Sequence, residues 1–163
     1  MRPPAARRRS GARLAAVQFS YQMEMNPGDL DSALAGFAAH YTKDIARQMK
    51  IRTIDQRLFE SLARLMQEKQ GELDTHISSC LESGWRLDRL DRNELGLLRA
   101  GVAELLFLPE IPARTVIAEY TALADLYAAD TGFVNAVLDR LARQARPSEL
   151  SAGQAGKPRP AGL

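Results

Sequence analysis

Residues 90–107 read Leu90-Asp-Arg-Asn-Glu94-Leu-Gly-Leu-Leu-Arg99-Ala-Gly-Val-Ala-Glu104-Leu-Leu-Phe107, and Leu108-Pro-Glu-Ile-Pro112 follows. Asp91 and Glu94 occupy the N-cap and N3 positions of a helix, and Leu90 and Leu95 flank them as a hydrophobic staple. Leu95, Leu98, Val102, Leu105 and Leu106 then recur at helical intervals. Pro109 and Pro112 close this helix and open the next. The stretch therefore predicts a helix over 92–107 with a buried stripe.

The same periodicity extends in both directions. Downstream, Val116, Ile117, Tyr120 and Leu123 predict a helix from Ala113 to about Tyr127. Asp130 or Thr131 caps a last helix carrying Phe133, Val134, Val137, Leu138 and Leu141. Upstream, a first helix runs from about Ser10 to Met25 and ends at Asn26-Pro27-Gly28. Asp29 caps a second, with Leu30, Leu34, Phe37, Tyr41 and Ile45 on one face. Thr53 and Gln56 read as a capping-box pair that starts a third. A fourth follows Gly71 and stops at Ser83-Gly84. Trp85 and Leu87, in the connection, are expected to plug the core between two halves of the chain. No stretch alternates as a strand does, and no repeat of fixed period occurs. The expectation is an all-α fold of six to seven helices in two small subdomains. A flexible basic arm is expected over residues 1–9, one helical domain over 10–146 and a disordered tail over 147–163, where Pro, Gly, Ser and Ala dominate.

Composition narrows the function classes. The 163 residues are 45% apolar and 26% charged, close to the average for soluble globular chains. The single cysteine, Cys80, cannot form an internal disulfide, and the two histidines, His40 and His76, are widely spaced. No zinc, dinucleotide, P-loop or nucleophile-elbow motif is present. The uncharged run Leu14–Met23 is about half a membrane span and is interrupted by polar residues. A cytoplasmic protein is expected, with no membrane contact, metal, cofactor or catalytic activity. Asp88, Asp91 and Glu94 alternate with Arg86, Arg89 and Arg92, a pattern of helix caps and exposed ion pairs rather than paired catalytic carboxylates.

The net charge of +2 conceals a segregation. Arg2, Arg7, Arg8, Arg9 and Arg13 all precede the first acid, Glu24, which leaves 17 basic against 20 acidic residues in the rest of the chain. Guanidinium groups bind phosphate through forked hydrogen bonds, and each contact adds salt-dependent affinity. Nucleic acid is one reading of this arm; a solubilising tail and electrostatic contact with a membrane are others. Charge does not distinguish RNA from DNA.

Four motifs in order resemble the NusB family of transcription antitermination factors. Arg13-Leu-Ala-Ala-Val-Gln-Phe-Ser-Tyr21 is similar to the family's R-x-x-A-x-Q-x-L-Y opening helix. Trp85-Arg-Leu-Asp-Arg-Leu-Asp-Arg-Asn-Glu94, with Leu97-Leu-Arg99 and Ala103-Glu-Leu105, is similar to its central L-x-x-x-E-x-x-x-L-R element. Ile111-Pro112 with Val116-Ile-Ala-Glu119 resembles the proline-led helix, and Phe133-Val-Asn-Ala-Val-Leu-Asp139 resembles F-V-N-G-V-L-D.

The resemblance implies binding of boxA-type RNA together with the small-subunit ribosomal protein NusE. It implies that the pair joins elongating RNA polymerase to suppress termination, notably in ribosomal RNA operons. By position, Arg7, Arg8, Arg9 and Arg13 would hold RNA, and Phe133 would stack on a base. Glu94 would face the junction of RNA and partner, with Asp88 near the same surface. The family includes monomers and homodimers that hide the RNA face. Two departures bear on the site. Ser10-Gly-Ala12 separates the arginine run from Arg13, so only one of these elements keeps the family register. Ala136 stands where glycine is usual, at an expected close helix contact. Two further readings are the helical domain that begins certain ribosomal RNA methyltransferases, which here would require truncation, and a protein-only interaction module.

Overall fold

The helix expected over 92–107 forms with those bounds and is the axis around which five of the other helices pack. The computed structural model describes residues 2–150. These form helices α1 (Pro4–Met25), α2 (Leu30–His40), α3 (Thr42–Gln48), α4 (Gln56–Glu68) and α5 (Gln70–Ser79), a 3-10 turn (Leu87–Arg89), then α6 (Arg92–Phe107), α7 (Ala113–Leu126) and α8 (Thr131–Ala145). Among the described residues there is no strand.

Every residue of α6 from Gly96 to Leu105 is buried, because α1, α4, α5, α7 and α8 all pack on it. Small residues make this encirclement sterically feasible. A Cβ added at Gly101 would stand 2.8 Å from Leu138 Cδ2 on α8, and one at Gly96 would stand 3.3 Å from Val17 on α1. One continuous apolar core joins the α1–α5 group to the α6–α8 group. In the first group Phe37 lies edge-on to Phe19 at 5.5 Å and stacks on Phe59 at 5.4 Å, geometries that aromatic pairs favour.

Aspartates start four of the helices. The side chains of Asp29, Asp55, Asp91 and Asp130 accept from Ser32, Leu58, Asn93 and Phe133 N–H respectively, at 2.7–3.0 Å. The cap of α4 is therefore Asp55, not Thr53, whose hydroxyl donates to the Ile54 carbonyl. The expected second helix is two helices, broken at Tyr41. There the Thr42 hydroxyl takes the Ala38 carbonyl at 2.8 Å, a side-chain bond of the kind that competes with helix continuation.

Three boundaries differ more consequentially. First, α1 begins at Pro4, so Arg7, Arg8 and Arg9 are helical rather than part of a flexible arm. Proline fixes a helical φ at the first turn without losing a needed donor, and alanine and arginine propagate the helix well. Second, Trp85 is 52% exposed and does not plug the core. Third, residues 147–150 are helical, and Leu150 is buried; residues 151–163 of the expected tail lie outside the described residues.

Arg146 explains the third difference. It donates to the carbonyls of Glu104, Leu105, Leu108 and Ile111, satisfying the C-terminal end of α6. Glu149 accepts from Ala113 N–H at 2.5 Å and from Arg146 at 3.1 Å. The amide, followed by the guanidinium, holds the Glu149 carboxyl below its ordinary value.

Candidate nucleic-acid and partner interface

The five N-terminal arginines occupy different environments. Arg13 is fully buried. Its Nε and Nη2 meet the Glu104 carboxylate at 2.8 and 3.0 Å, and Nη1 lies 3.4 Å from Glu119. The Tyr120 hydroxyl also donates to Glu104. Burial pulls the Arg13 pKa down, but the bonds and charge of Glu104 outweigh it and the net shift is upward. Burial, and then the Glu104 charge, push the Tyr120 phenol well above its ordinary value. Arg13 thus pins α1 to α6 and α7, and its expected contact with RNA is corrected: no part of its side chain reaches a surface that could meet phosphate.

Arg7 is half-buried, and its Nη2 donates to the carbonyls of Met49 and Lys50 at 2.7 Å each, closing the end of α3. Arg2 bonds Ser10 and Glu119. Arg8 Nε donates to the Thr53 carbonyl at 3.2 Å, and the Arg8 carbonyl accepts from Asp55 N–H at 3.0 Å. Arg8 and Arg9 are exposed. Arg9 and Arg57 share the wall of an open cleft of about 240 Å³ that also includes Leu108 and Glu110. Arg57 belongs to the neighbourhood of the arm only through folding; in the sequence it is an ordinary exposed residue of an amphipathic helix.

The remaining candidates converge elsewhere. Glu94, on the first turn of α6, accepts from Asp130 N–H at 3.2 Å. Its carboxylate therefore turns toward the cap of α8. Asp130 in turn accepts from Phe133 N–H at 2.9 Å. Phe133 is half-buried, and its ring lies 6.0 Å from that of Trp85, tilted by 33°. Asp88, three residues beyond Trp85, is exposed and 3.3 Å from Arg86. Ala136 is exposed in the cleft beside these rings rather than at a close helix contact. Trp85 and Asp130 are members of this cluster that periodicity missed. An apolar residue in a short connection reads as core, and a cap aspartate reads as purely local.

The two regions lie near opposite ends of α6. Glu94 stands at its first turn, while Leu108, just past its last, lines the cleft of Arg9. Fourteen residues at 1.5 Å each separate them by about 21 Å along the axis. The structure brings Glu94, Phe133 and Trp85 together and sets the arm apart from them.

Among the described residues no cluster of His, Cys, Asp and Glu could hold a metal ion. No described helix is long and apolar enough to cross a membrane. The NusB family model matches residues 10–143. The chain is 40% identical over 141 residues to the transcription antitermination protein NusB of Caulobacter vibrioides, covering 85% of this chain and 94% of that protein. It is 38% identical to the NusB of Maricaulis maris, over 89% and 92% of the two chains. Among solved structures, T. maritima NusB superposes with a TM-score of 0.65 at 28% identity, covering 93% of this chain and 99% of that one. The antitermination factor structure of NusB and NusE in complex with dsRNA gives 0.65 at 27% identity, over 85% and 98%.

Proposed function

The chain belongs to the NusB family of transcription antitermination proteins, and from that premise we propose that it binds boxA-type RNA together with NusE. The pair then joins elongating RNA polymerase and suppresses termination, notably in ribosomal RNA operons. The similarity to a crystallised assembly of NusB, NusE and dsRNA carries this reading. The relatives matched over 94% and 92% of their own lengths are named transcription antitermination protein NusB, which favours this reading over a methyltransferase.

In this reading Arg8 and Arg9, with the outer edge of Arg7, hold RNA phosphates, while Arg13 holds the fold. Phe133 meets a base, and Glu94 lies where RNA and the partner protein adjoin. Glu94 is suited to that place because Asp130 N–H occupies only part of its acceptor capacity. Asp88, exposed on the neighbouring turn, adds negative charge for a basic partner. The acidic excess beyond residue 23 supports the same pairing, since complementary charge steers association.

A titration of boxA-type RNA into the chain, with and without NusE, tests the proposal. Tighter binding with NusE, and preference for boxA over a scrambled RNA, is the expected result. Equal, sequence-blind binding under both conditions contradicts it.

A further inference from the structure

The segment that joins α3 to α4 carries three cations and one acid in nine residues, Met49-Lys50-Ile-Arg52-Thr-Ile-Asp55-Gln-Arg57. None of the four motifs that mark the family falls in it. The segment lies against the first turns of α1 and is held there at successive points. Arg7 donates to the Met49 and Lys50 carbonyls, Arg8 Nε donates to the Thr53 carbonyl, and the Arg8 carbonyl accepts from Asp55 N–H. Beyond these, Arg9 and Arg57 share one cleft. Gly11 makes so close an approach possible, because a Cβ there would stand 2.8 Å from Ile54 Cγ2 and 3.1 Å from Ile51 Cδ1. The Ser10-Gly-Ala12 stretch that separates the arginine run from Arg13 is thus, at its glycine, the seat of this segment.

Folding therefore places Lys50, Arg52 and Arg57 beside Arg8 and Arg9, and all five are exposed. Among the described residues none of the five forms an ion pair. Two acids lie near: Asp55 accepts from Leu58 N–H at 3.0 Å, and Glu110 stands in the wall of the Arg9 cleft. Lys50 has φ +56°, just past the end of α3, where glycine is the usual residue. A lysine held there against backbone preference is explained by use of its ammonium.

We propose that the α3–α4 connection is a second phosphate-binding segment, which carries the RNA backbone onward from Arg8 and Arg9 past the specifically bound nucleotides. This rests on the RNA-binding function proposed above and adds to it a track that the family motifs do not cover. The chemistry selects the occupant. Five cations without acidic partners, drawn from two segments, form a continuous strip that matches a chain of repeated phosphates. Residues 49–57 include no aromatic ring, so the segment holds backbone without stacking on bases. An acidic protein would use the same charge, but continuity with the exposed arginines of α1 favours the RNA strand.

The experiment measures binding of labelled boxA-type RNA, alone and with nucleotides added at its 5′ or its 3′ end, to the full chain with NusE across a salt series. The Lys50→Gln, Arg52→Gln, Arg57→Gln chain is compared with the parent. Extension at one end should strengthen binding by the parent and steepen its salt slope, and the triple variant should lose that gain. With three single-strand phosphate contacts gone, its slope on the extended RNA should flatten by about 2. The unextended RNA should bind both chains alike. The bonds that hold the segment run from Arg7 and Arg8 to backbone groups, so the triple variant should melt with the parent. Lys50→Gly should melt slightly higher, since glycine accepts a positive φ without strain, and yet bind the extended RNA more weakly.

Extended RNA bound equally by both chains, with one slope, overturns the second segment and leaves RNA binding intact. Loss of polyglutamate binding by the triple variant in that case assigns the strip to an acidic protein instead. Extension that gains the parent nothing also overturns the segment. No binding of any RNA by the parent overturns the segment and the function it rests on together.

Discussion

Arg13 lies in the buried part of α1, enclosed by Glu104 and Glu119. Arg8 and Arg9, one turn earlier on the same helix, stand in solvent beside the α3–α4 connection and Arg57. A buried guanidinium is tolerable only where carboxylates and hydrogen bonds replace its water. An exposed one is free to exchange its counterions for phosphate. Arg99, midway along α6, repeats the first pattern with Asp74 and Glu24 as its partners. Burial, not residue type, thus divides the arginines that hold the fold from those that can hold a ligand.

The largest effect expected from this division is on the buried side. Glu104→Ala strands the charge of Arg13 and leaves the Tyr120 hydroxyl without its acceptor. Breaking one side of such a pair should cost about 3–5 kcal/mol of stability by chemical denaturation. A loss below about 1 kcal/mol would mean that Arg13 finds water.

A smaller loss is expected from Tyr120→Phe, about 2 kcal/mol near neutral pH for a hydrogen bond to a charged group. Its pH dependence is more specific. The phenol's folded pKa is raised above its ordinary value of 10.0. The stability it contributes is therefore fully present below about pH 10 and is lost as pH rises through the folded value. Tyr120→Phe should show a shallower alkaline decline than the parent; parallel declines would remove Tyr120 as the cause.

Arg8→Ala with Arg9→Ala should leave stability within about 0.5 kcal/mol of the parent, as for other surface changes. A large drop in melting temperature would place these residues with Arg13 instead.

Several features were legible because one local code repeated itself. For α6 a cap, a staple, an apolar stripe and a terminal proline all agree, and the helix forms with the expected bounds. The start of α1 was not legible, because Pro3-Pro4 reads equally as a loop or as a helix start, and docking of the Arg7 side chain and the Arg8 backbone carbonyl on residues 49–55 decides it. Residues 147–150 look like tail by composition, yet Arg146 and Glu149 tie them to the junction of α6 and α7. The site was half legible. Phe133 and Glu94 carry the family's motifs, but their junction through Asp130 and the ring of Trp85 exists only in three dimensions. The separation of Arg13 from its neighbours depends on Glu104, ninety-one residues away.

The slope of log affinity against log salt, measured for RNA binding by the parent and by the Arg8→Ala, Arg9→Ala chain, tests the central claim most directly. Each phosphate held on a single strand contributes about 0.7 to that slope, so losing two contacts should flatten it by about 1.4. An unchanged slope, with the variant folded and RNA still bound, would contradict the assignment of phosphate binding to the exposed turns of α1.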